Sequence, residues 1–170
     1  TRLLTNLCLV RVILGPSTIS YLCQSILEGE HCRLKHLFCK SNNLGDLGAT
    51  KIARSLSKQD STSKVRNGVA STLVSLWLDQ NEIHDKGATD LGNAIAEHPT
   101  LEIVSLSKNH ITDKGAVAMT VVVKKNSTLK QLNLTDNLIV GPGNDALHQA
   151  SRESDAVAEN LTIICGTQIQ

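Results

Sequence analysis

The sequence predicts an α/β solenoid, with a parallel sheet on the concave side and helices on the convex side, as one domain over residues 1–170. Three observations predict it. Apolar residues first alternate and then switch to helical spacing, as in Leu73–Pro99, where Leu76 and Leu78 are followed by Ala88, Leu91 and Ile95. That strand–turn–helix unit recurs, with starts near Leu4, Leu34, Leu73, Leu101, Leu129 and Ala158. Aromatics make up only 2% of the chain, so the core must be aliphatic. A single unit of this kind cannot bury its apolar side without neighbours of the same shape.

In order, repeat 1 places Leu4, Leu7, Leu9, Val12 and Leu14 around a strand and turn, with Ile19, Leu22 and Ile26 in its helix. Repeat 2 places Leu34, Leu37, Cys39, Asn42 and Leu44, then Gly48, Ala49, Ile52 and Leu56. Repeat 3 runs from Leu73, and repeats 4 and 5 follow it at 28-residue steps from Leu101 and Leu129. The step from Leu34 to Leu73 is longer, and its polar surplus, Lys58–Gly68, reads as an inserted loop. For the last strand two frames are open. One starts at Ala158 and turns Leu161 and Ile163 inward; the other starts at Leu161, and the first keeps the period better. The apolar strand Leu4–Leu9 leaves an unprotected sheet edge, from which we expect upstream repeats or a cap.

Parallel strands pack about 4.8 Å apart and helices about 10 Å apart, so the two layers must curve with the strands inside. Asn42, Asn81, Asn109 and Asn137 follow each strand where the chain turns. A carboxamide carries both donors and acceptors, so this ladder is expected to satisfy backbone groups of its own turn and of the next repeat. Asp46, Asp85 and Asp113 lie two residues before Gly48, Gly87 and Gly115 and are expected to N-cap the helices. The glycines leave room for each helix start to approach its neighbour.

The pattern LxxLxLxxNxL followed by GAxxL resembles the ribonuclease-inhibitor-like class of leucine-rich repeats, over almost the whole chain. The resemblance implies a right-handed horseshoe. The phrasing at Asp85–Ala88 and Asp113–Ala116 is most similar to the sensor domains of NOD-like receptors. That implies a non-enzymatic protein-binding module, part of a larger cytoplasmic receptor or scaffold. The Ran GTPase-activating proteins share the class and supply one alternative, although the tail after Asp155 has only Glu159 as a further acid; the other is a purely structural or autoinhibitory spacer whose contacts are intramolecular. Val12 for Asn, Thr18 for Gly and Cys39 for Leu depart from the pattern.

A net charge of +1 offers no basic excess for nucleic acid. Apolar runs such as Leu7–Val10 are far shorter than the ~20 residues of a membrane helix. The five cysteines lack framework spacing, which favours free thiols and a reducing compartment. The chain begins at Thr1 rather than Met, as a fragment or processed piece would. No cofactor-binding glycine loop appears, since the glycines recur at repeat spacing.

The residues between the buried leucines predict the binding face: His36, Phe38, Lys40, Val74, Trp77, Asp79, Ile103 and Lys130. The single Phe and single Trp of the chain, Phe38 and Trp77, should be cross-strand neighbours there. Exposed aromatics on a rigid sheet are the kind of residue that anchors interfaces. The alternative is that they cover each other or the inserted loop. Lys40 and Asp79 read as an exposed ion pair. Cys32, His36 and Cys39 have metal-like spacing, but strand alternation sends His36 and Cys39 to opposite faces, so no metal site is expected. No histidine is expected to join Ser107 and Asp79 as a hydrolytic group.

Overall fold

A computed structural model describes residues 4–24, 33–57, 72–153 and 161–166. The Lys58–Gly68 segment, Ile26, Cys32 and Ala158 lie outside the described residues. Strand and helix alternate in the order β1 (Asn6–Cys8), α1 (Pro16–Leu22), β2 (His36–Phe38), α2 (Gly45–Leu56), β3 (Ser75–Trp77), α3 (Asp85–Ala96), β4 (Ile103–Ser105), α4 (Asp113–Lys125), β5 (Gln131–Asn133), α5 (Gly141–Glu153) and β6 (Thr162–Ile164). The strands form one parallel sheet in sequence order. Parallel neighbours need a crossover, and each helix supplies it.

The register sets Leu7, Leu37, Leu76, Val104, Leu132 and Ile163 in one row across all six strands. That row faces the helices. Leu37, Leu76, Val104 and Leu132 are fully buried, as are Cys39, Leu78, Leu106 and Leu134 two positions on. The helices meet them with Ile52, Leu91, Ile95, Met119, Val123 and Leu147. The pairing of Ile163 with Leu132 starts the sixth frame two residues later than Ala158. Period-two alternation turns Ile163 inward from Ala158 and from residue 160 alike, so it cannot separate these two; the frame from Leu161 would turn Ile163 outward and is not the one adopted.

Three side-chain ladders lock repeat to repeat. In the first, each turn asparagine reaches back to the preceding repeat rather than forward. Asn109 Oδ1 accepts from Asn81 N (2.9 Å) and Ile83 N (3.1 Å), while its Nδ2 donates to Leu78 O (3.0 Å). Asn81 does the same to Asn42 N (2.9 Å), and Asn42 to Val12 N (2.8 Å). Asn137 accepts from Ile111 N (3.1 Å) and donates to Leu106 O (2.9 Å).

The second ladder corrects the capping expectation. Asp46, Asp85 and Asp113 do not cap their own helices; residues 44, 84 and 112 hold the N-cap positions of α2, α3 and α4. Each carboxylate points forward and caps the next helix instead. Asp46 accepts from His84 N (2.8 Å) and Gly87 N (2.9 Å), Asp85 from Thr112 N (2.8 Å) and Gly115 N (3.0 Å), and Asp113 from Val140 N (3.0 Å) and Gly143 N (2.9 Å). The glycine requirement follows. A Cβ on Gly115 would sit 2.5 Å from Asp85 Oδ1, and one on Gly143 would sit 2.6 Å from Asp113 Oδ1. A carboxylate at the positive end of a helix is also favoured by the helix dipole.

The third ladder was not anticipated. Thr72, Thr100 and Thr128 each precede the first leucine of a repeat and donate to Leu34 O (3.0 Å), Leu73 O (2.9 Å) and Leu101 O (3.0 Å). Its signal was visible as threonine at 28-residue spacing.

Candidate protein-binding face

The face of the sheet turned away from the helices is built in columns by the strand register. His36, Ser75, Ile103, Gln131 and Thr162 form one; Phe38, Trp77, Ser105, Asn133 and Ile164 form the next. Parallel pairing without offset sets each side chain beside its counterpart in the next repeat. Phe38 and Trp77 therefore meet, with ring centroids 5.9 Å apart and planes inclined by 20°, an offset stack. Both rings are half-buried, and each covers part of the other.

Around this stack the predicted residues fall into three groups. Ile103 and Val74 are half-buried apolar neighbours on β4 and just before β3. Lys40 is exposed beyond the end of β2, and Lys130 is exposed just before β5. Lys130 is paired with Glu102 at 2.9 Å in the open, where such a pair contributes little. His36 is half-buried, with Nδ1 2.8 Å from Ser75 Oγ. His36 and Ser75 share a column, as strand alternation predicts, and the register brings their side chains into contact.

Asp79 corrects the sequence reading. It is only 6% exposed and forms no ion pair with Lys40. Its Oδ1 accepts from the hydroxyls of Ser105 and Ser107 and from Ser107 N at 3.1 Å. These three donors replace water around the charge, so the carboxylate can be buried without a cation. Asp79 props up the face from beneath rather than presenting a charge to a partner. Because it is taken up by two serines while His36 bonds a third, serine, imidazole and carboxylate do not line up as a relay.

Cys39 is fully buried, and burial, with minor contributions from nearby Cys23 and Cys8, pushes its thiol up to about 12. It stays protonated in the core while His36 bonds Ser75 across the sheet face, so the two do not share an ion.

Two segments, residues 97–119 and 125–143, match a family model described as Leucine Rich repeat. Among solved structures, the chain is similar to leiomodin-1 Actin-Binding Site 2, at 12% identity and a TM-score of 0.64. The match covers 89% of this chain and 78% of that one. A search of curated protein sequences finds no match. No helix among the described residues is long and apolar enough to cross a membrane. With its parallel sheet, its ladders and these matches, the chain carries leucine-rich repeats and folds as a leucine-rich-repeat solenoid.

Proposed function

We propose that the chain is a non-enzymatic protein-binding module and that its partner docks on the open, concave face of the sheet, centred on Phe38 and Trp77. The observation that carries this is the partly exposed stack of Phe38 on Trp77, a large apolar contact area set among the mostly polar side chains of that face. Rigid aromatics offer large contact area at low entropic cost. The flanking Lys35 and Lys40 are exposed and outside the ion pairs formed among the described residues. Ladders on every internal joint hold the face in one shape, so docking needs little rearrangement.

Within that reading, the module is part of a cytoplasmic receptor or scaffold of the ribonuclease-inhibitor-like, NOD-like-receptor type. Free thiols at Cys8, Cys39 and Cys165 suit a reducing compartment.

The test uses affinity capture with the wild-type chain, Trp77→Ala, and Val117→Ser on the exposed side of α4. A bound protein lost with Trp77→Ala and kept with Val117→Ser supports the face, with an expected loss of about 2 kcal/mol in affinity. The single tryptophan gives a direct readout, because its emission should shift when the partner is added. Equal retention by Trp77→Ala and wild type would refute the site.

A further inference from the structure

A second cluster lies outside the sheet face, at the turns that follow β3 and β4. His84 and His110 are both exposed, with ring centroids 5.0 Å apart and planes inclined by 49°. They come from different repeats, and stacking of the repeats brings them together. His110 N donates to Ile83 O at 2.8 Å, the same bond that Leu138 N makes to Ile111 O one joint later. In that later joint Thr112 and Leu138 pair as a parallel bridge. His84 and His110 hold the corresponding positions, so their side chains leave neighbouring backbones in the same direction. His84 N is also fixed by Asp46 Oδ1, which leaves little freedom at its Cα.

We propose that His84 and His110 form a two-imidazole site for a divalent transition ion of the zinc type, bridging repeats 3 and 4. The ring separation carries the inference. With a Zn–N bond of about 2.0–2.1 Å and a ring centre about 1.1 Å further out, two imidazoles on one ion at a tetrahedral angle have centres about 5 Å apart. Neutral imidazole suits zinc, nickel and copper among the divalent ions. No group of three or more His, Cys, Asp or Glu suited to a metal occurs among the described residues. Water or a group from a bound partner therefore completes the coordination, as in a site with open positions.

The site is tested by titrating Zn²⁺ into the whole chain by calorimetry, with Cys8→Ser as the common background to remove an exposed thiol. One ion per chain is expected. Binding should weaken at least about tenfold in His84→Ala and equally in His110→Ala, while His148→Ala, an exposed histidine elsewhere, binds as the parent does. Zn²⁺ should raise the melting temperature of the parent and of His148→Ala but of neither site variant, since an ion held only by the folded chain stabilises it. Absence of a stoichiometric ion in the parent, or unchanged binding in either site variant, would overturn the proposal.

Discussion

The joint between repeats 3 and 4 and the joint between repeats 1 and 2 use the same strand pairing, three residues against three, parallel and in register. They differ in what is added to it. The inner joint carries all three ladders: Asn109 reaching back, Asp85 reaching forward, and Thr100 holding Leu73 O. Of the three ladders, the outer joint shows among the described residues the asparagine rung, from Asn42 to Val12 N and Leu9 O, beside a bond from Lys51 Nζ to Ser20 Oγ. Pro16 stands where the forward aspartate would be. Without that carboxylate, Gly48 N bonds Leu44 O within its own repeat, and α2 starts at Gly45. Gly87 N, by contrast, is held from the repeat before.

Burial follows the same division. Of the nine large apolar residues exposed among the described ones, Leu4, Val10, Val12, Ile13 and Tyr21 belong to repeat 1. The comparison teaches that strand pairing gives the repeats their order, while the side-chain clamps and helix packing give them cohesion.

The largest way to break this contrast is in the core. Leu106→Ala, at a fully buried position, should cost about 2–5 kcal/mol in urea unfolding, whereas the same change at half-buried Leu7 should cost clearly less. Equal costs would mean that repeat 1 is as well held as repeat 4. Next come the clamps. Asn109→Ala leaves Asn81 N and Ile83 N without their acceptor and should cost about 1–3 kcal/mol by the same measurement. A neutral result would show that the ladder is not what joins the repeats.

Local opening sharpens the comparison further. In native-state hydrogen exchange the amides of Leu9 and Arg11, bonded across the outer joint, should exchange at least ~10-fold faster than that of Leu78, bonded across the inner one.

The smallest expected effect is electrostatic. Burial raises the Asp85 pKa, but hydrogen bonds from Thr112 and Gly115, with the charge of Lys114, outweigh it, so the net shift is downward. A carboxylate whose folded pKa is depressed contributes stability that is present above its unfolded value, about 3.9 for Asp, and is lost as pH falls through the folded one. Stability should therefore drop on acidification below about pH 4, less steeply in Asp85→Asn. Parallel pH profiles for the two proteins would remove Asp85 from the account.

Some of the binding face was legible in the sequence and some was not. The columns and the meeting of Phe38 with Trp77 follow from period two and from the same strand pattern restarting at Leu34 and Leu73, both local properties of the chain. The role of Asp79 was not legible. As the residue after Leu78 it looked like a charge on a solvated strand end, and only the approach of Ser105 and Ser107 from the next repeat buries it. His36 beside Ser75 was legible as a shared column, and only the hydrogen bond between them needed the folded chain.

The sequence alone determined the unit, its recurrence and which residues of the first five strands face the helices, because alternation and helical spacing are written residue by residue. Only the tertiary structure decided where each polar side chain goes. Asp85 could cap its own helix or the next one, and it caps the next because Gly115 leaves the space there. Turn asparagines could bond forward or back, and β6 could slide by two residues without changing face. Such choices are made between repeats, by distances that exist only once neighbouring copies have stacked.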